Sequence, residues 1–261
     1  MRPARELHAE RNLKGWESIA LRWGSARWPR RPRWKDEFSR AYPLLSKMGG
    51  QEAIVVGATP EFRAMLKRAN ARVTVMEKSD LSLSAMTDIM VNQMRTCPDV
   101  ENIIAADWES PDYEKNRYRM VMGDLVTGYL ESWERYECFL LKLNAMLVPG
   151  GVVLLREFTN DPTPRPPASI ENAHHRRWAY ILTHDFAVED GIFYEEKLAK
   201  NVCRAGDRAV LSTCADPPRV RLMPSADQFM DFFVRTGFEP QILVAPDPGN
   251  VRPGLWALWK R

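Results

Sequence analysis

The stretch that decides the fold is Glu52–Leu66, EAIVVGATPEFRAML. Its first part is a run of apolar and β-branched residues, which is typical of a strand covered on both faces of a parallel sheet. Thr59 and Pro60 stand where an N-cap and the first residue of a helix are preferred. Gly57 permits close backbone approach to a bound group. The stretch predicts a strand, a turn and a helix. Both a nucleotide-binding turn and a plain connection remain open interpretations.

Apolar runs of the same kind recur downstream, with helical patterns between them. Their alternation predicts a doubly wound α/β sheet of parallel strands with helices on both faces. The predicted strands are Glu52–Gly57, Arg72–Glu77, Glu101–Asp107, Arg119–Asp124 and Gly151–Phe158, and the predicted helices lie near Pro60–Asn70, Leu81–Arg95 and Leu130–Leu147.

The C-terminal part completes the sheet after an interruption. Residues 159–224 are proline-rich at their start and only weakly periodic. A helix then begins with Ser225 as N-cap and Gln228 completing a capping box, and Gly237 ends it. Two final strands are joined by a short turn, so they are antiparallel. The prediction is a seven-stranded, mostly parallel sheet with an antiparallel last strand. It occupies residues 49–261, with a substrate-cap segment inserted at 159–224 and a helical arm at 1–48.

Composition restricts the class of protein. Hydrophobic residues make up 45% and charged residues 27%, as in an ordinary globular protein. No apolar run is long enough to span a bilayer, and the basic N-terminus lacks the apolar core of a signal peptide, so we expect a cytoplasmic protein without membrane contact. The four cysteines include no C-x-x-C pair and histidines number four, so neither a metal site nor a disulfide framework is expected.

The N-terminal arm is basic and rich in tryptophan. Residues 1–40 hold eleven Lys/Arg against five Asp/Glu, which leaves 26 against 29 for the rest of the chain. A solvated helix face is the favoured interpretation over nucleic-acid contact. The tryptophans require burial against something. A lid over the site, packing on the sheet edge and a homodimer contact all remain open. The arm's tryptophans are Trp16, Trp23, Trp28 and Trp34.

Acidic residues stand where the second to fourth strands end. Glu77 lies 20 residues beyond Gly57, the spacing at which a carboxylate accepts hydrogen bonds from both ribose hydroxyls. Asp107 closes the third strand with Trp108 directly after it, and Gly123–Asp124 end the fourth. Because the carboxyl ends of parallel strands meet at one edge, these residues are predicted to lie together. Each taken singly is also compatible with an ordinary structural role.

This layout resembles the class I S-adenosylmethionine-dependent methyltransferases over about Gln51–Phe158 and Ser225–Arg261. The VPGG turn at 148–151 adds to the resemblance. It implies a Rossmann-like fold and S-adenosyl-L-methionine as cofactor. Asp107 and Trp108 match the adenine-binding positions of the family. The cofactor-binding residues implied in this way are Gly57, Ala58, Thr59, Glu61, Glu77, Lys78, Asp107, Trp108, Gly123, Asp124 and Leu125.

The first motif departs from the family pattern. Two or three glycines are usual there, whereas Ala58 and Thr59 occupy two of those positions in this chain. Alanine preserves close approach if its φ is negative, and a β-branched threonine does not readily adopt positive φ. The turn must therefore be formed with Gly57 as its only glycine.

The resemblance implies a methyltransferase, and the residues favour a small-molecule acceptor. The sequence GDLV ends the fourth strand in place of the N/D-P-P-Y tetrapeptide of amino-group methylation. Methyl transfer requires alignment of donor and acceptor more than a fixed catalytic residue. Two alternatives remain: cyclisation of S-adenosylmethionine itself, which releases methylthioadenosine, and a non-catalytic binding module.

Candidate catalytic and substrate residues come from the less regular segments. His174 and His175 are candidate general bases, with His184 a weaker one, because imidazole titrates near neutrality. A solvated helix end is the favoured interpretation for either of the first two taken singly. Arg156 suits either a substrate carboxylate or a surface ion pair with Glu157. The full candidate set is His174, His175 and Tyr129 for catalysis, and Trp16, Trp23 and Arg156 for substrate.

Overall fold

The structure is a computed structural model that describes Trp23, Ile181 and residues 37–98, 100–109, 113–160, 188–204, 220–248 and 253–261. The helices of this part are α1 (Ser39–Leu45), α2 (Pro60–Arg68), α3 (Asp80–Asn92), α4 (Trp133–Met146), α5 (Glu195–Arg204) and α6 (Ala226–Arg235). The strands are β1 (Glu52–Val56), β2 (Arg72–Met76), β3 (Asn102–Ile104), β4 (Tyr118–Asp124), β5 (Leu147–Glu157), β6 (Val188–Glu189), β7 (Ile192–Tyr194), β8 (Val220–Leu222), β9 (Phe238–Val244) and β10 (Gly254–Lys260).

Seven strands form one mixed sheet in the order β3-β2-β1-β4-β5-β10-β9. Strand β1 pairs in parallel with β2 and β4, and β2 pairs in parallel with β3. The hairpin of β9 and β10 is antiparallel. The predicted Rossmann-like sheet with an antiparallel last strand is confirmed.

The chain forms two compact units. One comprises residues 1–124 and 146–152, and the other comprises residues 125–145 and 153–261. In the first unit Ala53, Ile54, Val55 and Val56 of β1 are all at most 1% exposed. This full burial is the reason that β1 is apolar without alternation.

The core of the second unit is aromatic. Phe229 and Phe233 of α6 stack at 5.6 Å and pack on Trp256 of β10. Tyr136 of α4 contacts Phe229 edge-on at 5.8 Å. Trp133 stacks on Phe232 with ring centroids 4.4 Å apart. These rings attach α6 and α4 to each other and to the antiparallel end of the sheet.

Strand β3 is shorter than predicted. It covers Asn102–Ile104, whereas the sequence pattern extended to Asp107. The N–H of Glu77 donates to the Ile104 carbonyl at 3.1 Å. Beyond Ile104 the chain turns, because the Ala106 N–H bonds back to the Ile104 carbonyl at 3.0 Å. Asp107 is therefore placed by a turn and is not a strand residue.

The inserted segment contains regular structure that the periodicity did not predict. Strands β6 and β7 pair antiparallel with Glu189 opposite Ile192, and β8 pairs with β7. Asp190 and Gly191 between them have φ of 47° and 73°. Asp-Gly with two positive φ angles is a typical two-residue hairpin turn, so this dipeptide was the available signal. Strands of two or three residues are too short to show alternation.

The cap of helix α6 was predicted correctly. Ser225 accepts from the Gln228 N–H and the Gln228 side chain accepts from the Ser225 N–H, so the capping box is complete. Gly237 follows the helix with φ +84°. Both features satisfy backbone groups that a helix end leaves without partners.

Replacing Ser225 by alanine is expected to lower the free energy of unfolding by about 1 kcal/mol. The reason is that one N–H at the start of α6 loses its side-chain acceptor. Urea unfolding measures the change, and Ser225→Asp is the matched control because aspartate keeps an acceptor at the N-cap. Equal stability of the alanine variant and wild type would contradict the capping role.

Within the part of the chain that the structure describes, no helix is both long and apolar enough to cross a membrane. The described residues also contain no group of three or more histidine, cysteine or acidic side chains arranged to hold a metal ion.

Candidate functional site

The strand register brings the predicted cofactor residues of the first unit to one edge. Val56 at the end of β1 is opposite Met76 of β2 and Gly123 of β4. Met76 is in turn opposite Ile104 of β3. The residues that follow these positions therefore lie at the carboxyl ends of four adjacent strands, where open α/β sheets bind ligands.

The turn after β1 is wound by a single glycine. Gly57 has φ +89°, a conformation that side-chain-bearing residues rarely adopt, and its N–H donates to the Met76 carbonyl at 2.9 Å. Neither Thr59, with φ −53°, nor Ala58 has a positive φ. A Cβ at Gly57 would lie 3.6 Å from Cζ2 of Trp108. The backbone of the turn thus lies beside an indole ring, with no side chain between them.

Thr59 occupies the N-cap position of α2 without capping it. Its side chain makes no capping hydrogen bond, contrary to the N-cap role that the sequence indicated. Instead its hydroxyl donates to Oδ2 of Asp124 at 3.4 Å. The departure from the glycine pattern therefore supplies a side-chain contact between the ends of β1 and β4.

Glu77 is a buried carboxylate held in a defined orientation. The residue is 8% exposed. Oε1 accepts from the Ser79 N–H at 2.9 Å and Oε2 accepts from the Ser82 hydroxyl at 3.3 Å. Burial raises the pKa of Glu77, and the hydrogen bond from the Ser79 N–H opposes this rise. A carboxylate offers about four acceptor positions, so capacity for further donors remains.

Lys78 and Asp107 form an ion pair, with Nζ and Oδ2 2.6 Å apart. Oδ1 of Asp107 accepts from the Glu109 N–H at 3.1 Å. The two charged side chains are 66% and 42% exposed, so the pair contributes no more than about 1 kcal/mol. Because the pair is weak and exposed, its rearrangement costs little free energy.

Trp23 of the N-terminal arm packs against helix α2. It is 6% exposed, and its indole N–H donates to Oε1 of the fully buried Glu61 at 2.8 Å. Nearby, Phe38 meets Phe62 edge-on at 5.8 Å. These contacts support the packing interpretation for Trp23. Trp16, Trp28, Trp34, His174, His175 and His184 lie outside the described residues.

In the second unit, Leu125 follows Asp124 in an unusual conformation. Its φ is +55°, and its N–H donates to the Arg156 carbonyl at 2.7 Å. The left-handed conformation costs a leucine about 1–2 kcal/mol relative to the right-handed one. Such outliers concentrate at functional sites, where surrounding structure maintains them.

Arg156 and Glu157 at the end of β5 are buried. Their exposures are 1% and 2%. The alternative of a surface ion pair for Arg156 was therefore wrong, because neither side chain lies at the surface. Oε1 of Glu157 accepts from the Thr127 N–H at 3.1 Å. This carboxylate holds the 3-10 helix Thr127–Tyr129 after β4, a role that the sequence interpretation missed.

Tyr136 adds a second buried polar group near Glu157. Burial and the charge of Glu157 raise the pKa of Tyr136 well above its ordinary value, so the phenol stays protonated. Tyr129, a candidate catalytic residue, is instead 59% exposed. The next residue, Leu130, accepts from the Leu222 N–H of β8 at 2.9 Å. The small sheet of the insert is thus attached directly beyond Tyr129.

Comparison with known proteins gives the class of fold. No family model and no curated protein matches the sequence. Among solved structures, the chain is 13% identical to the 1,6-didemethyltoxoflavin-N1-methyltransferase of Burkholderia thailandensis, solved with 1,6-didemethyltoxoflavin and S-adenosylhomocysteine, over 100% of this chain and 92% of that one, with a TM-score of 0.53. It is 11% identical to the N-methyltransferase NodS of Bradyrhizobium japonicum in complex with S-adenosylhomocysteine, over 95% and 97%, with a TM-score of 0.52.

A third likeness is to a putative S-adenosylmethionine-dependent methyltransferase of Listeria monocytogenes, at 13% identity over 86% of this chain and 100% of that one, with a TM-score of 0.54. Together these likenesses establish the fold. The chain has the Rossmann-like fold of the S-adenosylmethionine-dependent methyltransferases, as the sequence predicted.

Proposed function

We propose that this protein is an S-adenosylmethionine-dependent methyltransferase that acts on a small molecule. The observation that carries the proposal is the arrangement at the strand ends of the first unit. A glycine with φ +89°, a buried carboxylate and an indole ring lie there on adjacent strands or the turns after them. The fold class supports it, since the chain shares that fold with methyltransferases solved with S-adenosylhomocysteine.

The residues fit the cofactor in chemistry and in position. The Glu77 carboxylate, held by Ser79 and Ser82, is assigned to the ribose hydroxyls of the cofactor. Gly57 presents backbone without a side chain beside Trp108, which offers a face for the adenine. In this proposal Asp107 accepts a hydrogen bond from the adenine amino group, and its ion pair with Lys78 lengthens to allow this.

The amino-acid part of the cofactor is assigned to the end of β4. Asp124 is a half-buried carboxylate there, and a carboxylate in such a place is stabilised by a cationic partner. We assign the ammonium of the methionine moiety to this carboxylate. Gly123, directly before Asp124, contributes backbone to the same region, and Leu125 remains a proposed cofactor residue of the second unit.

The chemistry divides between the cofactor and the chain. S-adenosylmethionine supplies an electrophilic methyl group on a sulfonium. The residues at the strand ends orient it, and the enzyme aligns the acceptor for in-line displacement and excludes water. Where the acceptor atom carries a proton, His174, His175 and Tyr129 are the proposed bases. Arg156 and Trp16 remain the proposed substrate residues, whereas Trp23 packs against α2.

A small-molecule acceptor is supported by one structural neighbour. The Burkholderia thailandensis enzyme was solved with 1,6-didemethyltoxoflavin, a small molecule. In the sequence, the absence of the amino-methylation tetrapeptide after β4 points in the same direction. A cytoplasmic location remains an expectation from the sequence, as does a homodimer.

Calorimetric titration of the wild-type protein with S-adenosylhomocysteine tests the proposal. We expect a dissociation constant in the micromolar range, corresponding to about −8 kcal/mol. Absence of binding would contradict any cofactor-dependent activity and leave the non-catalytic module.

Product analysis separates the two reactions that use the same cofactor. The protein is incubated with S-adenosylmethionine and a set of candidate small-molecule acceptors. Transfer yields S-adenosylhomocysteine in proportion to methylated acceptor. Release of methylthioadenosine without any acceptor would instead establish cyclisation of S-adenosylmethionine.

A further inference from the structure

Thr59 is the residue through which this chain departs most from a glycine-rich turn. At the N-cap of α2 a threonine hydroxyl ordinarily accepts from an N–H of the first helical turn. The structure shows no such bond. The hydroxyl donates across the sheet to Asp124, which lies 65 residues further along the chain.

The strand register explains why these two residues meet. Val56 and Gly123 are opposite each other at the ends of β1 and β4. Gly57 then turns the backbone with its positive φ, and Thr59 follows with φ −53° and ψ 114°. The contact is therefore set by the backbone of the turn and by Asp124 being the last residue of β4.

The hydrogen bond is of a kind that orients a carboxylate without neutralising it. At 3.4 Å it is longer than the range of about 2.5–3.0 Å that is usual for an O–H donor, so it is weak. A hydroxyl carries no charge, so the contact with Thr59 leaves the negative charge of the Asp124 carboxylate unchanged. The threonine thus restricts the orientation of the carboxylate and leaves its electrostatic attraction intact.

We propose that Thr59 is a positioning residue that holds the carboxylate of Asp124 towards the ammonium of the methionine moiety of the cofactor. This inference rests on the proposed function, since it requires that the strand-end site binds S-adenosylmethionine. The inference assigns a role to Thr59, a residue that otherwise stands out only because it replaces a glycine in the first motif.

Two ligands separate this role from a structural one. S-adenosylhomocysteine carries the ammonium, whereas 5′-methylthioadenosine has the adenosine and sulfur but no amino-acid part. In Thr59→Val, the hydroxyl is lost and the β-branched shape is retained. We expect the affinity for S-adenosylhomocysteine to fall about tenfold, and the affinity for methylthioadenosine to change by less than about twofold.

Thr59→Ser is the matched control, because serine keeps the donor and should restore the affinity to within about twofold of wild type. Asp124→Asn should reproduce the selective loss. The double variant Thr59→Val/Asp124→Asn should lose no more than Asp124→Asn alone, as expected for residues that act through each other. Thermal unfolding confirms that each variant is folded.

The outcomes are distinct. Equal losses for the two ligands, unchanged affinity for S-adenosylhomocysteine, or additive losses in the double variant would overturn the role of Thr59. Failure of wild type to bind either ligand would instead overturn the proposed function itself. If Thr59→Val does not fold, Thr59→Ala replaces it, and the same selective loss of affinity for S-adenosylhomocysteine over methylthioadenosine is required.

Discussion

Replacing Glu77 by glutamine is expected to weaken binding of S-adenosylhomocysteine by about tenfold to a hundredfold. The estimate follows from hydrogen bonds to a charged group, which contribute about 1.5–3 kcal/mol. Glutamine has nearly the shape of glutamate but one oxygen acceptor in place of two, and no charge. Calorimetry of wild type and Glu77→Gln measures the difference directly.

The pH dependence gives this prediction a second readout. Burial raises the pKa of Glu77 above its ordinary value of 4.5. The ionised form accepts from the ribose hydroxyls, so the affinity should fall as the pH drops through this raised pKa. Wild type should show this loss, and Glu77→Gln should show none in the same window. Identical pH profiles would remove Glu77 from the ribose site.

Stability should respond to pH with the opposite sign. Because the pKa of Glu77 is raised in the folded protein, protonation favours folding. That contribution is fully present below 4.5, and it is lost as the pH rises through the folded-state pKa. The pH at which ligand binding improves is therefore the pH at which this residue destabilises the fold, and urea unfolding of both proteins tests it.

A matched carboxylate controls for general charge effects. Glu131 pairs with Arg135 at the surface, where its side chain is 67% exposed. Glu131→Gln should leave the affinity for S-adenosylhomocysteine within about twofold of wild type, because an exposed pair contributes little. A comparable loss in this variant would mean that net charge, and not the position of Glu77, governs binding.

Replacing Gly57 by alanine should destabilise the fold and impair binding together. At φ +89° a residue with a Cβ is strained, which costs about 1–3 kcal/mol. The Cβ itself has room in the free protein, with Trp108 at 3.6 Å. In the complex it would occupy the space through which backbone approaches the cofactor. We expect a loss of tenfold or more in affinity for S-adenosylhomocysteine, by analogy with other close backbone approaches at glycine turns.

Gly128 provides the matched control for this substitution. A Cβ there has nothing within 4 Å, and its φ is not positive. Gly128→Ala should change the free energy of unfolding by less than about 0.5 kcal/mol. Urea unfolding and calorimetry are measured on both variants. If Gly57→Ala is as stable as Gly128→Ala and binds like wild type, then the turn after β1 is a plain connection between strand and helix.

Much of the sheet was predictable because its signals are local. Continuous apolar runs identified β1, β2, β4 and β5, and the capping box with Gly237 identified α6. The small sheet of the insert was not predicted, because β6 has two residues and β7 and β8 have three each. The Asp190–Gly191 dipeptide was the signal for a hairpin turn. A dipeptide alone does not show which residues on either side form strands.

The sequence by itself indicated where β1, β2 and β4 end, and with them the candidate cofactor residues Gly57, Glu77 and Asp124. Asp107 was a candidate too, but it lies in a turn beyond the end of β3. Burial patterns and turn signals depend on residues that are adjacent in the sequence, so they can be recognised without a structure. The partners of those residues were decided only by the tertiary structure. Lys78 forms an ion pair with Asp107, which lies 29 positions further along the sequence. Glu157 accepts from the N–H of Thr127, which lies 30 positions earlier.

The turn after β1 shows the same division. Its residues predicted a glycine-poor turn and an N-cap threonine. The pairing of Val56 with Gly123 instead directs the Thr59 hydroxyl to Asp124. A hydroxyl bonds to whichever acceptor the fold brings near, and strand register, a long-range property, determines which acceptor that is.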